Sequence, residues 1–208
     1  MADNRLFRVI GAAPDAATAA WCAYVWIAPR NAGVQWVRQI LVAMLLEFLV
    51  VHSGAYFSRF MGVPDAPWRR IGAGLLLLLA YLGLAAAFSA IFDTWWPLAG
   101  MAWLLGMKYW TLVLDRADDT GESERQFALW AVSVVFFVGL GVLSSLLPLP
   151  ELGIDAGVRS ELELPGAGLW VEQPYRVVAF AVFYFVLLAL VKYWYHPPGS
   201  HLRNHAQQ

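Results

Sequence analysis

From Ile71 to Phe92 the chain runs for 22 residues without a charge. As a helix that stretch is about 33 Å long, against roughly 30 Å for the hydrocarbon core of a bilayer. Backbone amides in lipid find no water, so a segment there is a helix or part of a closed barrel. Barrel strands alternate apolar and polar positions over about ten residues, whereas Leu75-Leu76-Leu77-Leu78-Leu79 is continuous. Composition agrees: the 208 residues are 60% hydrophobic and 14% charged, where a water-soluble domain carries about 25% charge. The expected fold class is all-α, a polytopic integral membrane protein with about six transmembrane helices.

Those helices are expected at about 10–28, 36–57, 71–92, 95–114, 127–147 and 176–195, in a single transmembrane domain. The first is the weakest, because Pro14 and Asp15 interrupt it. Arg5 and Arg8 ahead of it invite a signal-peptide reading. However, Pro14-Asp15 breaks the apolar region and the residues before Cys22 form no lipobox, so an uncleaved helix is expected.

Charge bias arbitrates, since short cytoplasmic loops collect Lys and Arg. With six helices and the N-terminus inside, nine basic residues fall on the inner side (Arg5, Arg8, Arg59, Arg69, Arg70, Arg116, Arg125, Lys192, Arg203). Four fall outside: Arg30, Arg38, Arg159 and Arg176. Without the first helix the split is seven against six, which is no bias. Both termini are therefore expected in the cytoplasm. The Ala-, Leu- and Trp-rich composition suits a GC-rich bacterial genome, so the expected location is a bacterial inner membrane. Tryptophans and tyrosines near the span ends fit interfacial belts.

The loops differ in kind. Asp93-Thr94 joins two spans as a tight antiparallel hairpin, and the acidic 115–126 loop reads as a solvated turn. The extracytoplasmic loop 148–175 is the only sizeable soluble segment. Its alternating Val158-Arg-Ser-Glu-Leu-Glu-Leu, followed by Pro165-Gly-Ala-Gly, reads as a short β-hairpin, with a flexible acidic loop as the alternative. The tail 196–208 is expected to be disordered. No fixed-period repeat or inverted repeat is visible.

The chemistry rests on polar residues inside the spans. Glu47 lies nine residues past Arg38, near the bilayer centre, where an ionisable group costs about 2.5–3.5 kcal/mol. His52 follows at i+5, about 140° round the helix, so the two do not share one narrow face. Lys108 should lie at the depth of His52 and would reach Glu47 if their helices are neighbours; otherwise its stem snorkels to the inner surface. Tyr81, at mid-depth of the third span, is a further hydrogen-bonding candidate. Glu and His suit proton relays, so the expected function is proton or small-solute handling at this buried site. The alternative is an accessory or assembly subunit of a membrane complex, with these residues tying helices together and the 148–175 loop meeting a partner.

No cofactor is expected. A bis-histidine haem needs two intramembrane histidines, and His52 stands alone; His196, His201 and His205 follow the last span. His201 and His205 have metal-binding i, i+4 spacing, but Pro197-Pro198-Gly199 beside them argues for disorder. Cys22 is the only cysteine, which excludes an intrachain disulfide. No P-loop, HExxH, GxSxG or paired-aspartate motif occurs, so an enzyme is the less favoured class. A net charge of −1 and the lack of a basic patch point away from nucleic acid. The expected partners are the lipid bilayer and either a second copy or another membrane protein.

Overall fold

A computed structural model of the chain describes residues 2–61, 67–114 and 120–194. Among them are six helices of 19 to 27 residues: α1 Ala2–Ile27, α3 Gln35–Met61, α4 Pro67–Ile91, α5 Trp96–Leu114, α6 Thr120–Leu146 and α9 Pro174–Trp194. Three short helices, α2 Pro29–Ala32, α7 Ala156–Leu162 and α8 Leu169–Glu172, gather at one end of the bundle, the capped end. No strand occurs among the described residues. Gly74–Ile91 and Pro174–Trp194 are long and apolar enough to cross a membrane, and Trp130–Leu146 is a shorter apolar stretch. Residues 62–66, residues 115–119 of the acidic loop, and 195–208 with the tail lie outside the described residues.

The broadest helix contact is α1 against α9. Among the described side chains of α1 the buried ones are Ala12, Asp15, Ala19, Cys22, Val25 and Trp26; leaving out Val25 beside Trp26, they are spaced three, four, three and four apart. That 3.5-residue period keeps one narrow seam facing a neighbour, and its small side chains let the two backbones approach closely. The helices run antiparallel, with Asp15 meeting Lys192 and Trp26 packing edge-on to Phe183. Pro14 does not end α1. It sits on the exposed side of the seam, and the Thr18 hydroxyl donates to its carbonyl at 2.9 Å.

α3 is the central helix, touching α1, α4, α5, α6 and α9. One flank (Val37, Ile40, Leu41, Met44) packs with α9 and Phe137 of α6. The other (Leu46, Leu49) packs with Tyr81 and Ala85 of α4 and Met101 and Leu105 of α5. α3 is thus packed on two flanks and keeps an exposed strip that includes Trp36 and Phe48. α4 and α5 form a hairpin whose turn puts Asp93 at φ +47°, with the Leu98 amide donating to Ser89 Oγ. α6 ends without a basic residue in its last turn. Arg176 at the start of α9 supplies one, donating from Nη1 to the carbonyls of Ser144 and Leu147 at 2.8 Å each. It satisfies carbonyls that the helix itself leaves open and opposes their negative dipole end.

The 148–175 segment corrects the sequence reading. Instead of a β-hairpin or a flexible loop it forms α7 and α8, held against the ends of α1 and α2. Ile154, Val158 and Leu162 are buried in the main core; their spacing of four is helical, and the apparent alternation of 158–164 follows only its polar members. Asp155 caps α7 by accepting from the Val158 amide at 2.8 Å. The Gly153 amide donates to the Trp26 carbonyl at 3.0 Å, and Trp26 Nε1 donates to the Pro150 carbonyl at 3.2 Å. Arg30 pairs with Asp155 and Glu161 at 3.5 and 3.6 Å. These exposed pairs add little energy, but they orient the cap.

Two outcomes test the cap. A Cβ on Gly153 would overlap the Ile27 carbonyl and the Pro29 ring, so Gly153→Ala is expected to cost about 1–3 kcal/mol, read as a lowered melting temperature with earlier proteolysis after Arg159. The Asp155 carboxyl is held below its ordinary value of 3.8, first by the Val158 amide and then by Arg30. A depressed carboxyl contributes stability that is complete above its unfolded pKa and is lost as pH falls through the folded one. Hydrogen-exchange protection of α7 should therefore weaken below the usual aspartate range, and Asp155→Ala should remove that dependence.

Candidate functional site

Glu47 sits in the middle of α3, half-buried, on the side facing α9. Tyr184, fully buried on α9, donates its hydroxyl to Glu47 Oε1 at 2.7 Å. A phenol can give that proton and a carboxylate can only accept it, which fixes the direction when Glu47 is ionised. The aromatic packing around the pair is tight: Phe137 of α6 stands edge-on to Tyr184 at 5.4 Å and to Phe180 at 4.9 Å, and Phe48 lies 5.9 Å from Phe137. Three helices, α3, α6 and α9, thus meet around one hydroxyl.

Two turns along α9, Lys192 Nζ lies 2.6 Å from Asp15 Oδ2. The Asp15 side chain is 12% exposed and that of Lys192 40%. The contact is ionic rather than a directed hydrogen bond, since Asp15 Oδ2 has no hydrogen-bond partner in the usual geometry. Arg8 stands seven residues before Asp15, on the same face of α1, and its buried Nε likewise lacks a hydrogen-bond partner. Along α9 the carboxylate–phenol pair and the ion pair therefore stand two turns apart.

Of the residues singled out from sequence, Glu47 stands in this arrangement. Tyr81 is buried on the opposite flank of α3, among Leu46, Leu49, Ala85, Met101 and Leu105. The backbones of His52 and Lys108 belong to α3 and α5, but their side chains lie outside the described ones. α3 and α5 are neighbours, joined where Trp96 Nε1 donates to Gln39 Oε1; α5 packs on the flank of α3 that carries Leu46 and Leu49, while Glu47 faces α9. Sequence reasoning missed Tyr184, Asp15 and Lys192. Asp15 had a signal: Arg8 and Asp15 keep step with Ala12, Ala19, Cys22 and Trp26, so a charge interrupting the span also belonged to its packing seam. Tyr184 had none, being one aromatic among several in an apolar span.

Among the described residues no three His, Cys, Asp or Glu side chains cluster closely enough to hold a metal; His201 and His205 lie beyond them. The chemistry on offer is proton exchange between a carboxyl and a phenol, next to an ion pair. No family model, curated protein or solved structure matches the chain.

The ion pair makes a stability prediction. Lys192→Met leaves Asp15 buried without its cation and is expected to cost about 2 kcal/mol, less than a fully buried pair because Lys192 is partly exposed. Asp15→Asn combined with Lys192→Met should recover most of that loss. Thermal melting of the four proteins in detergent gives the coupling directly, and strict additivity would mean the contact contributes nothing.

Proposed function

We propose that the chain is a six-span protein of a bacterial inner membrane, with both termini cytoplasmic, that handles protons at a buried site centred on Glu47 and Tyr184. The capped end is then the outer one. The membrane reading is supported by large apolar side chains exposed on all six long helices, among them Ile10, Phe48, Leu76, Trp103, Val135 and Phe183. So much uncovered apolar surface is untenable for a monomer in water and ordinary in lipid.

The observation that carries the functional reading is the hydrogen bond from Tyr184 to Glu47. A helix tie needs no ionisable group, and one costs several times what an intramembrane hydrogen bond returns: about 2.5–3.5 kcal/mol against ~0.6. Glu47 can take and release a proton, and the Tyr184 hydroxyl donates to its charged form. Asp15 and Lys192 form a second station nearer the inner end, with Arg8 beyond it. His52, one and a half turns past Glu47 on α3, and Lys108 on α5 are proposed to complete the inner side of the path.

The test is proton movement into vesicles containing the purified protein, driven by a potassium diffusion potential and followed with a trapped pH dye. Glu47→Gln is expected to abolish it and Tyr184→Phe to slow it severalfold, with helicity and gel-filtration behaviour unchanged. Transport in Glu47→Gln at the wild-type rate would reduce the site to a structural tie.

A further inference from the structure

A cleft of about 480 Å³ opens in the capped half of the bundle, between α1 and the N-terminal turns of α3 and α5, with α9 at its back. Its depth relative to the Glu47 site follows from helix register. Thr18, Met44 and Ala181 line it, and each stands three residues from a member of the site: Asp15, Glu47 and Tyr184. Because α1 runs antiparallel to α3 and α9, all three steps lead the same way, away from the capped end. Three residues rise about 4.5 Å, so on α3 the cleft ends one turn above Glu47; on α1 it ends one turn above Asp15, which lies deeper beside Lys192, and on α9 it reaches Phe185, next to Tyr184.

We infer that this cleft binds an amphiphile drawn from the lipid, with an apolar body and a neutral, hydrogen-bonding head. The volume falls within the roughly 300–1,000 Å³ of small-molecule sites. Among the described residues no charged side chain lines it; the polar groups are Thr18, Gln35 and Gln39. Gln39 Oε1 accepts from the Trp96 indole, so a ligand head meets that amide as a donor. The mouth is flanked by Trp21 and Trp36, stacked edge-on at 5.2 Å and about two-fifths exposed, which suits an apolar body entering sideways. A helix from a second copy fits poorly, since α3 lines the cleft only from Gln35 to Met44, roughly 14 Å of its length. The head then lies one turn from Glu47 and Tyr184. What it does there rests on the proposed function; whether the cleft is filled does not.

The test uses the full chain in phosphatidylcholine nanodiscs and a long-chain alcohol carrying a diazirine. Cross-links are expected on the peptides holding Trp21–Cys22 and Gln39–Met44. They should be competed away by excess unlabelled alcohol, and Ala43→Trp, which fills the cleft, should lower them about tenfold, equivalent to ~1.4 kcal/mol. Competition on the wild type needs no variant to fold. Labelling spread evenly over exposed surfaces such as Leu76 and Leu79, resistant to competition, would overturn the inference, as would a cleft blocked by a second copy in protein–protein cross-links. Saturable cleft labelling alongside proton movement indifferent to Glu47→Gln would uphold the cleft and remove the proton site, so the two readings fail separately.

Discussion

The close antiparallel packing of α1 on α9 is the contact on which the other features depend. It is made by small side chains at 3.5-residue spacing, and it brings the first and last long helices together. That contact places Asp15 against Lys192 at one end and Trp26 against Phe183 at the other. Closing the chain on itself this way also gives the cap something to rest on: Gly153 and Pro150 bond to Trp26, at the far end of the same seam. Without α1 in place, Asp15 would have no cation and α7 no platform.

α3 then divides the interior. Its α9 flank carries the Glu47–Tyr184 pair within a shell of aromatic rings, and its α4–α5 flank is an apolar layer containing Tyr81. Glu47 meets Tyr184 of α9 there, beside Phe137 of α6. α3 and α9 run parallel and α1 opposite to both, so the cleft reaches Met44, one turn from Glu47, on α3 and Phe185, next to Tyr184, on α9.

Sequence patterns revealed the long helices well and the cap poorly. Long charge-free runs can satisfy their backbone only as helices, which is why Ile71–Phe92 speaks for itself. Pro14 and Asp15 looked like interruptions because each is unfavourable in isolation; the Thr18 bond and the Lys192 partner that accompany them lie a turn or a whole chain away. The 158–164 segment misled for a related reason. Its charged residues Arg159, Glu161 and Glu163 alternate by two while the buried Val158 and Leu162 are four apart, and burial is decided by which surface the segment meets.

By itself the sequence determined that most of the chain is helical, where the long helices run, and that Glu47 sits in mid-helix as an ionisable residue needing a partner. These are local consequences of hydrophobicity and of backbone hydrogen bonding, which a run of residues carries within itself. Only the tertiary structure decided that the partner is Tyr184, that Asp15 belongs with Lys192, and that a cleft ends one turn above Glu47. Glu47 and Tyr184 are 137 residues apart, and no pattern along the chain selects one tyrosine over another. Their meeting is set by the order in which the helices pack around α3.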